Sequence, residues 1–178
     1  LRITAFEHTR ELPDVHLYPL VEQLARFAVE ALEAYSSGRP IWKKVKVGGA
    51  VLGVRVLTKD DGESRLALTI GPDSGSGRNE SWTFPALEIR AFARAVIDLG
   101  RSLARTLVRR DRSQTHNLRL VEFRASLREI AELCREVSRD DALINESPES
   151  YRAYAKDGSS SETVPLASSR LRFEPKWT

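Results

Sequence analysis

Residues able to do covalent or metal chemistry are few and scattered in this 178-residue chain. The three histidines, His8, His16 and His116, form no H-E-x-x-H array and lie near no cysteine pair, so a zinc site has no support in the sequence. The single cysteine, Cys134, has no candidate base beside it and falls in an apolar register, which predicts a core thiol rather than a nucleophile. No G-x-S-x-G elbow is present. Asp60, Asp61 and Glu63 cluster tightly enough to ligate a divalent cation through oxygen, but a turn calls for the same residue types. Glu174-Pro175-Lys176 has the carboxylate and lysine of a nuclease site without a nearby strand-borne aspartate. These readings predict a protein that is not an enzyme and that holds no metal and no cofactor.

Cations are the richer signal. Net charge is +3 and the isoelectric point about 9.2. Overall charge decides little, so where arginine and lysine gather matters more. In "WKKVKVGGAVLGVRVL", residues 42–57, Gly48-Gly49 suits the two-residue turn that closes a hairpin. Pairing Val47 with Ala50 and counting outward puts Val45, Val47, Ala50, Leu52, Val54 and Val56 on one face, the core. The other face receives Trp42, Lys44, Lys46, Val51, Gly53 and Arg55, with Lys44 across from Gly53 and Trp42 across from Arg55. A further turn at residues 60–62 lets "SRLALTI" add Leu66, Leu68 and Ile70 to the core and Arg65, Ala67 and Thr69 to the basic face. Arg78 lies in the Gly/Ser-rich stretch that follows, a loop by composition and not a known phosphate-binding loop.

Helices must carry the rest. Leu17, Leu20, Val21, Leu24, Phe27, Ala28, Ala31 and Tyr35 recur at three- and four-residue steps and predict a helix over residues 16–36, stopped by Gly38 and Pro40. A second is expected over residues 86–109, with Pro85 at its start and a stripe of Ile89, Phe92, Val96, Leu99 and Leu103. Opposite this stripe fall Arg90, Arg94, Arg101, Arg105 and Arg109. A third, residues 118–138, repeats Leu120, Phe123, Leu127, Ile130, Cys134 and Val137 at heptad spacing. The last two read as an antiparallel pair, and Glu122, Glu129, Glu132 and Glu136 are placed to neutralise the arginines. The heptad stripe could instead meet its copy in a second subunit, so a homodimer is expected.

The fold class is therefore α+β: an antiparallel β-sheet packed on long helices in two layers, including a heptad-patterned helical pair. One domain is expected over residues 1–146, with its sheet module at about residues 41–109. "LRITAF" reads as an edge strand. Residues 147–178 read as a C-terminal extension with a short helix, a linker and room for a strand in "RLRFEP". No apolar run approaches the roughly 20 residues that span a bilayer, so no membrane association is expected. One cysteine, no visible signal peptide and a start at Leu1 fit an intracellular protein, cytoplasmic or organellar after removal of a presequence.

The order "WKKVKV", "AVLGVRVL", "SRLALTI", "ESWTF" and then "PALEIRAFARAVIDLGRSL" resembles the strand-strand-strand-strand-helix module of the Whirly, PUR and PC4-type single-stranded nucleic-acid-binding proteins. The resemblance is one of order and spacing. It implies that the sheet face meets the strand, with Trp42, Lys44, Lys46, Arg55 and Arg65 as contacts; the loop that carries Arg78 and the arginine stripe with Arg90 and Arg94 are expected to add cations beside that face. The basic face itself supports that expectation, since cations track a phosphate backbone and flat side chains stack bases. The competing expectation is a non-enzymatic interaction or scaffold module whose basic faces dock on an acidic protein partner.

Overall fold

The computed structural model describes residues 1–5, 8–12, 16–58, 64–72, 82–145 and 171–175. Their order is β1 (Arg2–Ala5), β2 (His8–Glu11), α1 (Leu17–Ser37), β3 (Ile41–Val47), β4 (Ala50–Thr58), β5 (Ser64–Pro72), β6 (Trp82–Leu87), α2 (Ile89–Arg110), α3 (Leu118–Asn145) and β7 (Arg172–Glu174). The α+β class read from the sequence is the class observed.

β3 to β6 form a four-stranded antiparallel meander in chain order. Its register starts from the two-residue turn: Gly48 and Gly49 have φ of 57° and 80°, the left-handed conformation that primed turns require. Gly48 is doubly constrained, because a Cβ there would sit 2.6 Å from the His16 carbonyl oxygen. The amide of His16 donates to the Gly48 carbonyl at 2.7 Å, tying the hairpin to the start of α1. From that turn Val47 pairs with Ala50, Lys44 with Gly53 and Trp42 with Arg55, as the alternation predicts. Leu52, Val54, Val56, Leu66, Leu68 and Ile70 are buried on the inner face.

α1 and α2 pack on that inner face and on each other, and α3 packs on both. The helices thus make two tiers over the sheet, where two layers in all were expected. Leu120, Phe123, Leu127, Ile130, Cys134 and Val137 are all buried within the chain. The heptad seam that could have recruited a second copy is filled by α1 and α2. Between α2 and α3, Asp111 accepts hydrogen bonds from the Ser113 amide at 2.9 Å and from Gln114 Nε2 at 3.0 Å, closing a single 3-10 turn. Those hydrogen bonds, Gln114 first, hold the Asp111 carboxyl below its ordinary range. Asn117 Oδ1 then accepts from the Arg119 amide at 3.0 Å and opens α3.

Two local readings change. Pro85 lies in β6, and α2 begins at Ile89 with Glu88 as its N-cap residue. Proline is tolerated there because β6 is an edge strand and its pairing with β5 is irregular between Leu66 and Leu68. β1 is not an edge strand but the centre of a second sheet, ordered β2-β1-β7. "RLRFEP" supplies β7, whose Phe173 pairs with Ile3, and Leu171, Phe173, Leu1 and Ile3 join the common core. The short helix and linker expected within residues 146–170 lie outside the described residues. No helix among the described residues is long and apolar enough to cross a membrane.

Candidate nucleic-acid interface

The outer face of the meander is built by period-two alternation across three strands. Reading across β3, β4 and β5, one row runs Trp42, Arg55, Ala67, the next Lys44, Gly53, Thr69, and the third Lys46, Val51, Gly71. Small residues make its middle low: a Cβ on Gly53 would already be 3.3 Å from Thr69 Cβ. Thr69 continues to β6, where its hydroxyl shares a hydrogen bond of 3.0 Å with that of Thr83. Val51 is buried although it belongs to this face, while Lys44, Lys46 and Arg55 are exposed. Trp42 is 77% exposed, the largest value among the exposed large hydrophobic residues.

The structure therefore brings Trp42, Lys44, Lys46, Arg55 and Arg65 onto one surface, with α1 and α2 on the opposite side of the sheet. Lys44 and Arg55 form no ion pair with a described residue. Lys43, the third lysine of the run, points the other way and bonds Glu30 of α1 at 2.6 Å. Period two separates it from its neighbours: one lysine ties β3 to a helix and two face solvent. Lysines on an edge strand also deter edge-to-edge pairing, which accounts for their charge but not for an exposed indole beside them.

Arg90 and Arg94 do not join this surface. They lie on α2, on the helix side of the sheet, close enough to Cys134 of α3 to act on its thiol. Burial pushes the Cys134 thiol up, and Arg94 and Arg90 only partly offset this, so it behaves as the core thiol that its heptad position predicted. Arg90 also bonds Glu88 at 3.1 Å. Arg78, like the Asp60, Asp61 and Glu63 cluster, lies outside the described residues. His16 and His116 are exposed at element ends, and no group of three or more His, Cys, Asp or Glu among the described residues could hold a metal ion.

No protein-family model matches this chain, no curated protein matches it, and no solved structure matches it.

Sequence reasoning passed over Arg124 and Arg128 on α3. They stand across a groove from Arg101 and Arg105 of α2. The signal was present as an arginine pair four residues apart on each of two consecutive helices joined by a tight turn, which antiparallel packing brings face to face.

Proposed function

We propose that the outer face of the four-stranded sheet binds single-stranded DNA or RNA, without catalysis. The observation that carries this reading is Trp42, 77% exposed on a sheet face and placed directly across from Arg55, with Lys44 two residues along. Leaving an indole in water forgoes the burial of a large apolar surface, and a sheet that does so among cations has the two elements that bind unpaired strands. The cations attract phosphates, and the ring stacks on a base whatever its identity. Gly53 and Gly71 are buried on this face, and the small, partly exposed Ala67 leaves room for a base beside Trp42 and Arg55. The meander leading into α2 follows the same element order as the Whirly, PUR and PC4-type modules, which agrees with this reading. A homodimer of that kind would have to pair through a surface other than the buried α3 seam.

Fluorescence anisotropy with a labelled oligothymidylate tests it. Affinity should fall steeply with salt, and the double variant Lys44→Ala, Lys46→Ala should make the salt slope shallower by about one to two units, at roughly 0.7 per phosphate contact on a single strand. Trp42→Ala should cost roughly 1–3 kcal/mol of binding while leaving the slope and the melting temperature nearly unchanged. Absence of binding at about 50 mM salt, or indifference to all three substitutions, would refute the reading.

A further inference from the structure

The second basic region is on the helix side of the sheet and has different chemistry. α2 and α3 are in close contact at Gly100, where a Cβ would meet Leu127 Cδ2 at 2.7 Å and Phe123 Cζ at 3.1 Å. Beside that contact the helices leave a groove of about 560 Å³. Arg101 and Arg105 form one bank, Arg124 and Arg128 the other, and Ala104 and Leu127 line it between them, with Asp98 also at its wall. Four arginines thus line a groove that has one carboxylate in its wall.

Asp98 is the one carboxylate lining the groove, and it pairs with none of them. Arg101, Arg105, Arg124 and Arg128 make no ion pair with a described residue. Arg105 Nε donates to the Arg101 carbonyl at 3.2 Å and Arg128 Nε to the Arg124 carbonyl at 3.4 Å, each within its own helix. A guanidinium has five N–H donors in a planar fork, so most of the donors in this groove remain open for a ligand. Like charges four residues apart on one helix repel each other, and here two such pairs also face each other.

The walls select among anions. Sites for single strands combine cations with aromatic rings on which bases stack, and none of the seven residues lining the groove is aromatic. Asp98 opposes an unbroken run of phosphates but can accept an N–H or pair with a cation. Ala104 and Leu127 offer an aliphatic contact between the two cationic banks. Arginines four apart on a helix are separated along its axis by about 6 Å, the repeat that carboxylates four apart on another helix would match. We propose that this groove docks an acidic amphipathic helix of a partner protein, with carboxylates forked on the four arginines and one aliphatic side chain against Leu127 and Ala104.

The test is a titration of the full ¹⁵N-labelled chain with a helical peptide of about 14 residues that carries glutamates four apart flanking a single leucine, at about 50 mM salt. Amides of residues 98–105 and 124–128 should shift, and the same peptide with glutamine in place of glutamate should not shift them. The variant Arg105→Glu, Arg124→Glu should weaken binding at least about tenfold with its spectrum otherwise dispersed, whereas Trp42→Ala should bind the peptide like the parent chain. Changing all four arginines to lysine keeps the charge but not the fork, and should give an intermediate affinity. The proposal fails if the acidic peptide shifts none of these amides at millimolar concentration or binds the charge-reversed variant equally well. It also fails if an oligothymidylate displaces the peptide from the groove at lower concentration than the peptide itself requires.

Discussion

The two flanks of α3 carry opposite charge and treat it differently. Towards α1, Glu22, Glu30, Glu122 and Glu129 share a groove with Arg26 and Arg119. Glu22 is met there by Arg119 at 2.9 Å and by Arg26 at 3.4 Å, and Glu30 by Lys43 at 2.6 Å. Arg119 also lies over the Tyr18 ring at 5.3 Å, and the Tyr18 hydroxyl donates to the Arg119 carbonyl at 3.1 Å. Burial, helped by Glu22 and opposed by Arg119, raises the Tyr18 phenol above its ordinary value. These contacts join α1, α3 and β3. Towards α2, Arg105 and Arg128 bond only backbone carbonyls of their own helices, and none of the four arginines there makes an ion pair with a described residue. Charge that links elements belongs to the fold, whereas charge that links no described element and repels itself lowers stability.

Phe123 is where this contrast can be broken most severely. Its ring packs against Tyr18 with centroids 5.6 Å apart on the acidic flank, and its edge approaches Gly100 on the basic one. It is 3% exposed. Phe123→Ala should destabilise the chain by about 3–5 kcal/mol, the usual effect of emptying a buried aromatic site. Urea denaturation measures this, and a loss under about 1 kcal/mol would mean that α3 is not seated on both helices as described.

A smaller effect tests whether the acidic flank is structural. Lys43 is the cation of a carboxylate whose second oxygen, Glu30 Oε2, is buried without a hydrogen-bond partner. Lys43→Met should cost roughly 1–2 kcal/mol, the lower part of the range for a polar group left unanswered, because solvent still reaches the pair. Glu30→Gln in that background should recover part of the loss, and a double-mutant cycle isolates the coupling. Additive effects would make the pair incidental to the fold.

Much of the sheet was legible because its determinants are local. A Gly-Gly turn and period-two alternation were enough to set Trp42 across from Arg55 and to separate Lys44 and Lys46 from the core. Pro85 was not legible, since a proline opening a helix and one on an irregular edge strand look alike until the pairing with β5 is known. The central place of β1 is not legible in its own segment, because its partner β7 comes from the other end of the chain. Heptad spacing found the seam of α3 but not its surroundings. Glu122 and Glu129 were expected to neutralise the arginines of α2, yet they line the flank towards α1, while Arg124 and Arg128 turn towards α2. Periodicity fixes the buried stripe of a helix, and the neighbours that meet its two shoulders depend on how three helices pack.

The smallest expected effect has the opposite sign on the two flanks. Arg105 lies four residues beyond Arg101 and faces Arg124 and Arg128 across the groove, so Arg105→Glu replaces repulsion with attraction on its own helix and across the gap. Repulsive and attractive pairs at this spacing each amount to about 0.2–0.5 kcal/mol, so the exchange should stabilise the chain by roughly 0.5 kcal/mol at low salt. The helix dipole works against a glutamate near the C-terminal end of α2, but its influence falls off within the last turn, and Arg105 precedes that turn. Arg119→Glu should act in the reverse direction, because it sets a second carboxylate against Glu22 and removes the cation over Tyr18. Both changes should shrink at about 1 M salt, where charges more than about 3 Å apart are screened. Paired urea melts of the two variants at low and high salt measure the signs directly. If Arg105→Glu destabilises the chain as Arg119→Glu does, the arginines of the α2 flank are held by the fold, and the difference between the two flanks disappears.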